Sequence, residues 1–286
     1  MTSAGPFPVF GSRVFAEQDI IPAVQALVKN LHVDEVLQHA AYVILKPNYV
    51  VSNEWHTGTT TSPLLIEAMI LYIRGVAGNA RIAVGEGGFT YETRQAFENN
   101  GLPGLCEKYG VDLIDFNHDE PVTFRIDDAR ALKGKIAIAK EAVACDCIIS
   151  LPALKTHTMA VTTLSMKNFM GTLSHKSIMH SQLHEKIVDL YSYYRSKAPF
   201  AIIDGFIGNA GSEVSSNPMN HGIFLASKDF VALDTIGSYV MDQDLAKCKY
   251  LGIAQQRGFG ISDMDRIAVE GIDPQQCVIR YKPGCE

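Results

Sequence analysis

Short apolar runs dense in Ile and Val recur along this chain, and helix-patterned segments separate most of them. The runs are AYVILK (41–46), RIAVGE (81–86), VDLIDF (111–116), DCIIS (146–150), FAIID (200–204) and GIFLAS (222–227). Most do not alternate polar with apolar, which is how strands covered on both faces read. Over 62–77, Ser62 can cap a helix, Pro63 suits its first position, and Leu65, Met69, Tyr72, Ile73 and Val76 form one stripe. Asp229 heads a similar pattern over 229–241. This rhythm predicts βαβ units: an α/β fold with a mainly parallel, doubly wound sheet flanked by helices. The stretch 121–140 breaks the rhythm and predicts a small antiparallel insertion, a hairpin around Asp127–Gly134. No repeat or low-complexity linker divides the 286 residues. The expectation is therefore one α/β domain over 1–286, with 1–40 as an N-terminal extension and 41–280 as the core.

Topology then says where the chemistry gathers. Lys46-Pro47-Asn48, Gly85 to Gly88, Asp115-Phe116-Asn117, Ser150 to His157, Asp204-Gly205 and Ser227-Lys228-Asp229 each follow one of the six runs. Parallel strands deliver their carboxyl ends to one edge, where open α/β sheets bind ligands, so these segments are expected to form one rim. Charge singles out one of them. Residues 151–186 hold four of the nine histidines and four lysines, with Glu185 as the only acid. That stretch sums to +3 in a chain of −6, leaving −6 − 3 = −9 for the rest. Such an island suits an anion or a metal ion.

Composition excludes several classes. Net acidity with one small positive island argues against nucleic-acid binding. No apolar run approaches a membrane span, and the start MTSAGPFPVFGSRVF lacks the basic and apolar regions of a signal peptide. Six scattered cysteines without a CxxC read as buried thiols of a cytoplasmic protein, with no bound iron–sulfur cluster. The oligomeric state is not legible.

Each motif carries a chemical reading and a plainer one. Lys155-Thr156-His157 follows a proline that ends a strand; a loop lysine beside a loop histidine can hold an anion and move a proton, or can simply be solvated. Lys167, in the apolar segment LSMKNFMGTL, either snorkels or is held inward against an anion, where burial would depress its pKa. His180 and His184 are spaced i, i+4 on a helix expected to begin near 179, on the stripe of Ile187 and Tyr191. They could chelate a divalent metal with His157 or His175 as third ligand, or serve as core histidines. The zincin pattern is absent, because the helix reads HSQLHE. The glycines of GEGG (85–88) and GNAG (208–211) allow close approach to a phosphate or carboxylate but match no nucleotide loop, and no G-x-S-x-G elbow occurs.

The blocks ILKPNYV, TTTSPLLIEAMI, VGEGG, IISLPALKTH, MKNFMG, HEKIVDL, AIIDG and SKDFVALD occur in the order of the DUF362 family, which this chain resembles over about residues 40–270. The resemblance places Lys46, Asn48, Glu86, Lys155, His157, Lys167, Asn168, Lys176, His180, His184, Asp204, Asp229 and Asp234 at the family's polar positions. Many members resemble ferredoxin fusions, and that cysteine-rich part is missing here. The architecture is also distantly similar to the nickel-dependent lactate racemase group, but the His-Gly-x-His-Arg signature is absent, so neither nickel nor lactate carries over. The resulting expectation is an enzyme acting on a small organic anion, a carboxylate, by isomerisation, epimerisation or elimination. Lys155, His157, Lys167, His180 and His184 are its candidate catalytic groups. Lys46, Asn48, Glu86, Asn168, Lys176 and Asp204 would bind substrate, and His157, His180 and His184 would be the ligands of any metal. Two alternatives stay open: a non-catalytic metal- or cofactor-binding accessory protein, and a redox protein served by an external iron–sulfur partner.

Overall fold

The computed structural model describes residues 7–90 and 92–282. Among the described residues the strands are β1 (Val9–Arg13), β2 (Tyr42–Pro47), β3 (Arg81–Glu86), β4 (Asp112–Asp115), β5 (Pro121–Phe124), β6 (Ile136–Ala139), β7 (Cys147–Leu151), β8 (Ala153–His157), β9 (Val161–Thr163), β10 (Ala201–Asn209), β11 (Pro218–Ser227) and β12 (Val269–Glu270). Ten of these form one sheet in the order β12-β1-β11-β10-β7-β2-β3-β4, with β8 joined to β10 and β9 to β8. From β10 through β7, β2 and β3 to β4 every pairing is parallel. The remaining two, β5 and β6, pair antiparallel as the separate hairpin expected at 121–140. The fold is α/β, with a large, mainly parallel sheet between helices.

The core follows the pleat. Along β2, Tyr42 and Ile44 face one apolar cluster while Val43 and Leu45 face the other. In β7, Ile148 joins the first cluster and Ile149 the second. Both faces are thus covered, which explains why these runs lack polar alternation. Helices Ile20–Asn30 and Pro63–Val76 cover one face; Leu183–Tyr194 and Phe230–Val240 cover the other. Helix Pro63–Val76 starts as its sequence predicts, with the Ser62 side chain accepting from Leu64 N and Pro63 in the first turn. Asp229 caps Phe230–Val240 by accepting from Ala232 N at 2.9 Å. No helix of the described residues is long and apolar enough to cross a membrane. The five described cysteines are buried and unpaired.

Two expectations about local structure are corrected. The sixth run is not parallel: in β11, Pro218 pairs with Asn209 and Ser227 with Ala201. A hairpin, not a helical crossover, joins β10 to β11, so Ser227-Lys228-Asp229 leaves the sheet at the edge opposite the other motifs. Also, Pro152 interrupts the fourth run without ending it. The chain resumes as β8, pairing Ala153 with Asp204 and Lys155 with Asn209, so Lys155, Thr156 and His157 belong to a strand and not to a loop.

Candidate functional site

The carboxyl edge of β2, β3, β7 and β10 holds a cavity of about 200 Å³, closed by the segment 166–183 and by the turns after β8 and β10. Its floor is built from the strand ends. Lys46 Nζ lies 2.8 Å from both carboxylate oxygens of Glu86, and both side chains are buried. The carboxylate also accepts from Tyr49 N at 3.1 Å and Gly87 N at 2.8 Å. Burial pushes the Lys46 amine below its usual pKa, and Glu86 opposes that shift. A buried pair of this kind persists because its hydrogen bonds are met, not because the charges alone favour burial.

Asn168 knits this pair to the neighbouring strands. Its Nδ2 donates to Lys46 O at 3.0 Å and Ser150 Oγ at 3.1 Å, which turns its Oδ1 toward Lys46 Nζ and Asn48 Nδ2. That fixes the Asn48 amide in turn. Asn48 and Thr163 both line the cavity, and their Oδ1 and Oγ1 atoms are buried with no hydrogen-bond partner. Buried polar atoms left unmet beside a cavity are unusual and call for a partner that the protein itself does not supply. Gly171 completes the floor: a Cβ there would sit 1.8 Å from Glu86 Oε1, so only glycine lets this backbone close over the carboxylate.

Three more lysines surround the cavity or lie beneath it. Lys167 lines it at 7% exposure, and no acceptor lies within hydrogen-bond distance of its amine among the described residues. Burial lowers its pKa to about 8, with Lys46 adding to the shift and Glu213 opposing it. Lys176 also lines the cavity, donating to Asn117 Oδ1 at 2.6 Å and Leu173 O at 2.9 Å. Burial brings it to about 8 as well. Lys155 lies one layer deeper and donates to Thr59 O at 2.8 Å; burial and then Lys167 lower it to about 7. Around and beneath the cavity, four lysine amines outnumber the carboxylates Glu86 and Glu213; on the lining itself Lys167 and Lys176 stand against those two acids.

The histidines part company. His157 lines the cavity and its Nδ1 accepts from Met159 N at 3.0 Å and Ala160 N at 3.2 Å. Two donors on Nδ1 fix a neutral ring with its proton on Nε2. Burial and the nearby Lys167 agree with that geometry, holding the imidazole down at about 3. His180 also lines the cavity, with its ring 6.1 Å from that of Phe89. His184 does not: it stacks on Tyr250 at 6.0 Å, away from the cavity lining. The helix expected from 179 begins at Leu183, after a left-handed Gln182 (φ 52°, ψ 44°), so His180 and His184 do not share a helical face. Among the described residues no group of three or more His, Cys, Asp or Glu side chains is placed to hold a metal.

Three acids of the expected set serve the scaffold. Asp204 is buried and accepts from Ser62 N at 2.7 Å and Phe206 N at 3.2 Å, tying the start of helix Pro63–Val76 to β10. Burial raises it to about 6. Asp234 accepts from Ser165 N, Ser165 Oγ and Met166 N, which sets the turn that delivers Lys167 and Asn168. Asp229 caps a helix at the far edge. Glu213 and Thr163 are cavity residues that sequence reading did not single out. Glu213 sits in the β10–β11 turn, where it accepts from Thr158 N and Thr158 Oγ1. A lone acid in a Gly- and Ser-rich turn offers no signal of its own.

Comparison with known proteins agrees with this architecture. A thylakoid-associated protein of Synechocystis sp. is 24% identical over 227 residues, a match covering 76% of this chain and 68% of that protein. The lactate racemase apoprotein from Thermoanaerobacterium thermosaccharolyticum superposes with a TM-score of 0.52 at 14% identity. That superposition covers 82% of this chain, which spans just 57% of the racemase, and at such identity it is a likeness of fold. The family model for a domain of unknown function, DUF362, matches residues 43–239. That match runs from β2 through the helix Phe230–Val240 and includes the pocket floor, and the chain belongs to the DUF362 family.

Proposed function

We propose that this protein is an enzyme that binds a small organic anion, a carboxylate, in the cavity and moves a proton on it. The observation that carries the reading is Lys167: a buried amine facing no protein acceptor, with a pKa near 8, in a cavity it shares with a neutral His157. An amine with that pKa exists in both forms near neutrality, as acid–base catalysis requires. An anion entering the cavity would meet the amines of Lys167 and Lys176 in their protonated form, and His157 Nε2–H would offer a neutral donor. In the chemical step, the neutral fraction of Lys167, which grows as pH approaches 8 while Lys176 keeps a charge on the anion, takes a proton from the carbon next to the carboxylate. The electron pair passes to the carboxylate oxygens, whose added charge the surrounding lysines hold. Returning a proton to the opposite face gives epimerisation and to another carbon isomerisation; if a group on the neighbouring carbon departs with its bonding pair as the enolate pair forms the double bond, the result is elimination. The fold shared with a lactate racemase apoprotein is compatible with an enzyme and adds no substrate.

The test is proton–deuterium exchange on a panel of short carboxylates, read by NMR in deuterated water, with Lys167→Arg and Lys155→Arg alongside wild type. Arginine keeps the charge but cannot titrate in this range. Wild-type exchange that disappears in Lys167→Arg while the carboxylate still binds supports catalysis. If Lys167→Arg instead loses affinity and wild type never exchanges, the cavity is a binding site only. Normal exchange and binding in both variants would remove the lysines from the mechanism.

A further inference from the structure

The cavity is polar at depth and apolar at its mouth. Glu86, Asn48 and Thr163 at the floor are 2%, 5% and 2% exposed. Phe89, Met159 and Val214, also part of the lining, are 49%, 50% and 44% exposed. Only eight large hydrophobic side chains are exposed among the described residues, and these three meet at one opening from three separate segments. Phe89 follows β3, Met159 lies in the β8–β9 turn and Val214 in the β10–β11 turn. Met170 and Leu183 continue the apolar lining inward. Exposed apolar side chains scattered singly need no explanation, but three around one polar cavity do.

We infer that the ligand is amphiphilic: an anionic head on the lysine floor and an alkyl or aryl arm that leaves through the mouth against Phe89, Met159 and Val214. This rests on the anion reading and narrows its substrate class. A ligand no larger than its head would leave these side chains in water. A partner protein seated over the rim would cover them but would give the connected polar floor no role. An apolar arm joined to the head occupies both, which is the usual division of labour in small-molecule sites. Each methylene moved from water to the rim should tighten binding by up to about fourfold.

The experiment titrates acetate, butanoate, hexanoate and octanoate into the full chain, wild type and the triple variant Phe89→Ser, Met159→Ser, Val214→Ser. The Met170 methyl resonance, present in both proteins, reports occupancy. In wild type the Kd should fall steadily with chain length, by tenfold or more from acetate to hexanoate. In the triple variant that slope should flatten, each series being referred to its own acetate value. The substituted side chains are largely exposed, so folding should survive, and circular dichroism checks it; should the triple variant not fold, the three single variants carry the same slope test. Acetate binding with no wild-type slope, or an equal slope in both proteins, overturns the inference and leaves the anion reading standing. A triple variant whose slope is intact but which dissociates from a dimer on gel filtration would assign the rim to a second copy instead. If no member of the series binds wild type, the anion reading itself fails.

Discussion

At the scale of single residues, a buried lysine has an energetic signature. The folded pKa of Lys167 is about 8, lowered from 10.5 by burial. Between those values the unfolded chain binds more protons than the native one, so this residue's contribution makes stability rise with pH there. Below about pH 8 the burial penalty is fully present. Lys167→Met should therefore be more stable than wild type at pH 6.5, by on the order of 3 kcal/mol. The advantage should shrink toward pH 10, as urea midpoints at each pH will show. A constant difference across that range would place the amine in water. Gly171 makes the opposite prediction. Gly171→Ala drives a methyl into the Lys46–Glu86 pair, and overpacking of this sort costs about 1–3 kcal/mol. A loss below about 0.5 kcal/mol would mean that the floor is looser than described.

Among elements, the segment between β9 and helix Leu183–Tyr194 does most to shape the site. Its turn at 165–166 hangs on the Asp234 carboxylate, which burial lifts to about 7 against the pull of Ser165. Asp234→Ala leaves Ser165 N and Met166 N without their acceptor. It should lower the melting temperature and also weaken carboxylate binding at Lys167, though Asp234 does not line the cavity. Loss of stability with unaltered affinity would separate the turn from the site. Further along, Gln182 holds a left-handed conformation that suits glycine. Gln182→Gly should stabilise by up to about 1 kcal/mol in urea denaturation, and a destabilisation would show that its side chain contributes there.

The elements also show where sequence was legible. β2, β3 and β7 are buried on both faces, so their Ile- and Val-rich runs stand out. β1 reads VFGSR, too short and mixed to declare itself. Pro152 reads as punctuation, which hid β8 and with it the burial of Lys155. Nothing in GIFLAS states a direction. The clue lay upstream, where residues 210–217, rich in Gly, Ser and Asn, have no helical period from which to build a crossover. For His180 and His184 the spacing was right and the helix start wrong, because a left-handed residue leaves no reliable mark in sequence.

For the whole molecule, parallel strands carry Lys46, Glu86 and His157 to one edge, where topology predicted them, and the segment 166–183 folds over that edge to add Lys167, Lys176 and His180. The positive island of the sequence thus becomes the wall of a cavity in an otherwise acidic protein. If that charge is there for an anion, affinity must follow the protonation of the amines. The most direct measurement is the Kd of butanoate between pH 6.5 and 9.5, in wild type and Lys167→Met. The account predicts that wild-type binding weakens as pH rises, with a midpoint near 8, by at least tenfold overall. Lys167→Met should bind weakly throughout, with a smaller pH dependence left by Lys176. Wild-type affinity that is flat over this range, or that tightens as the lysines lose their protons, would contradict it.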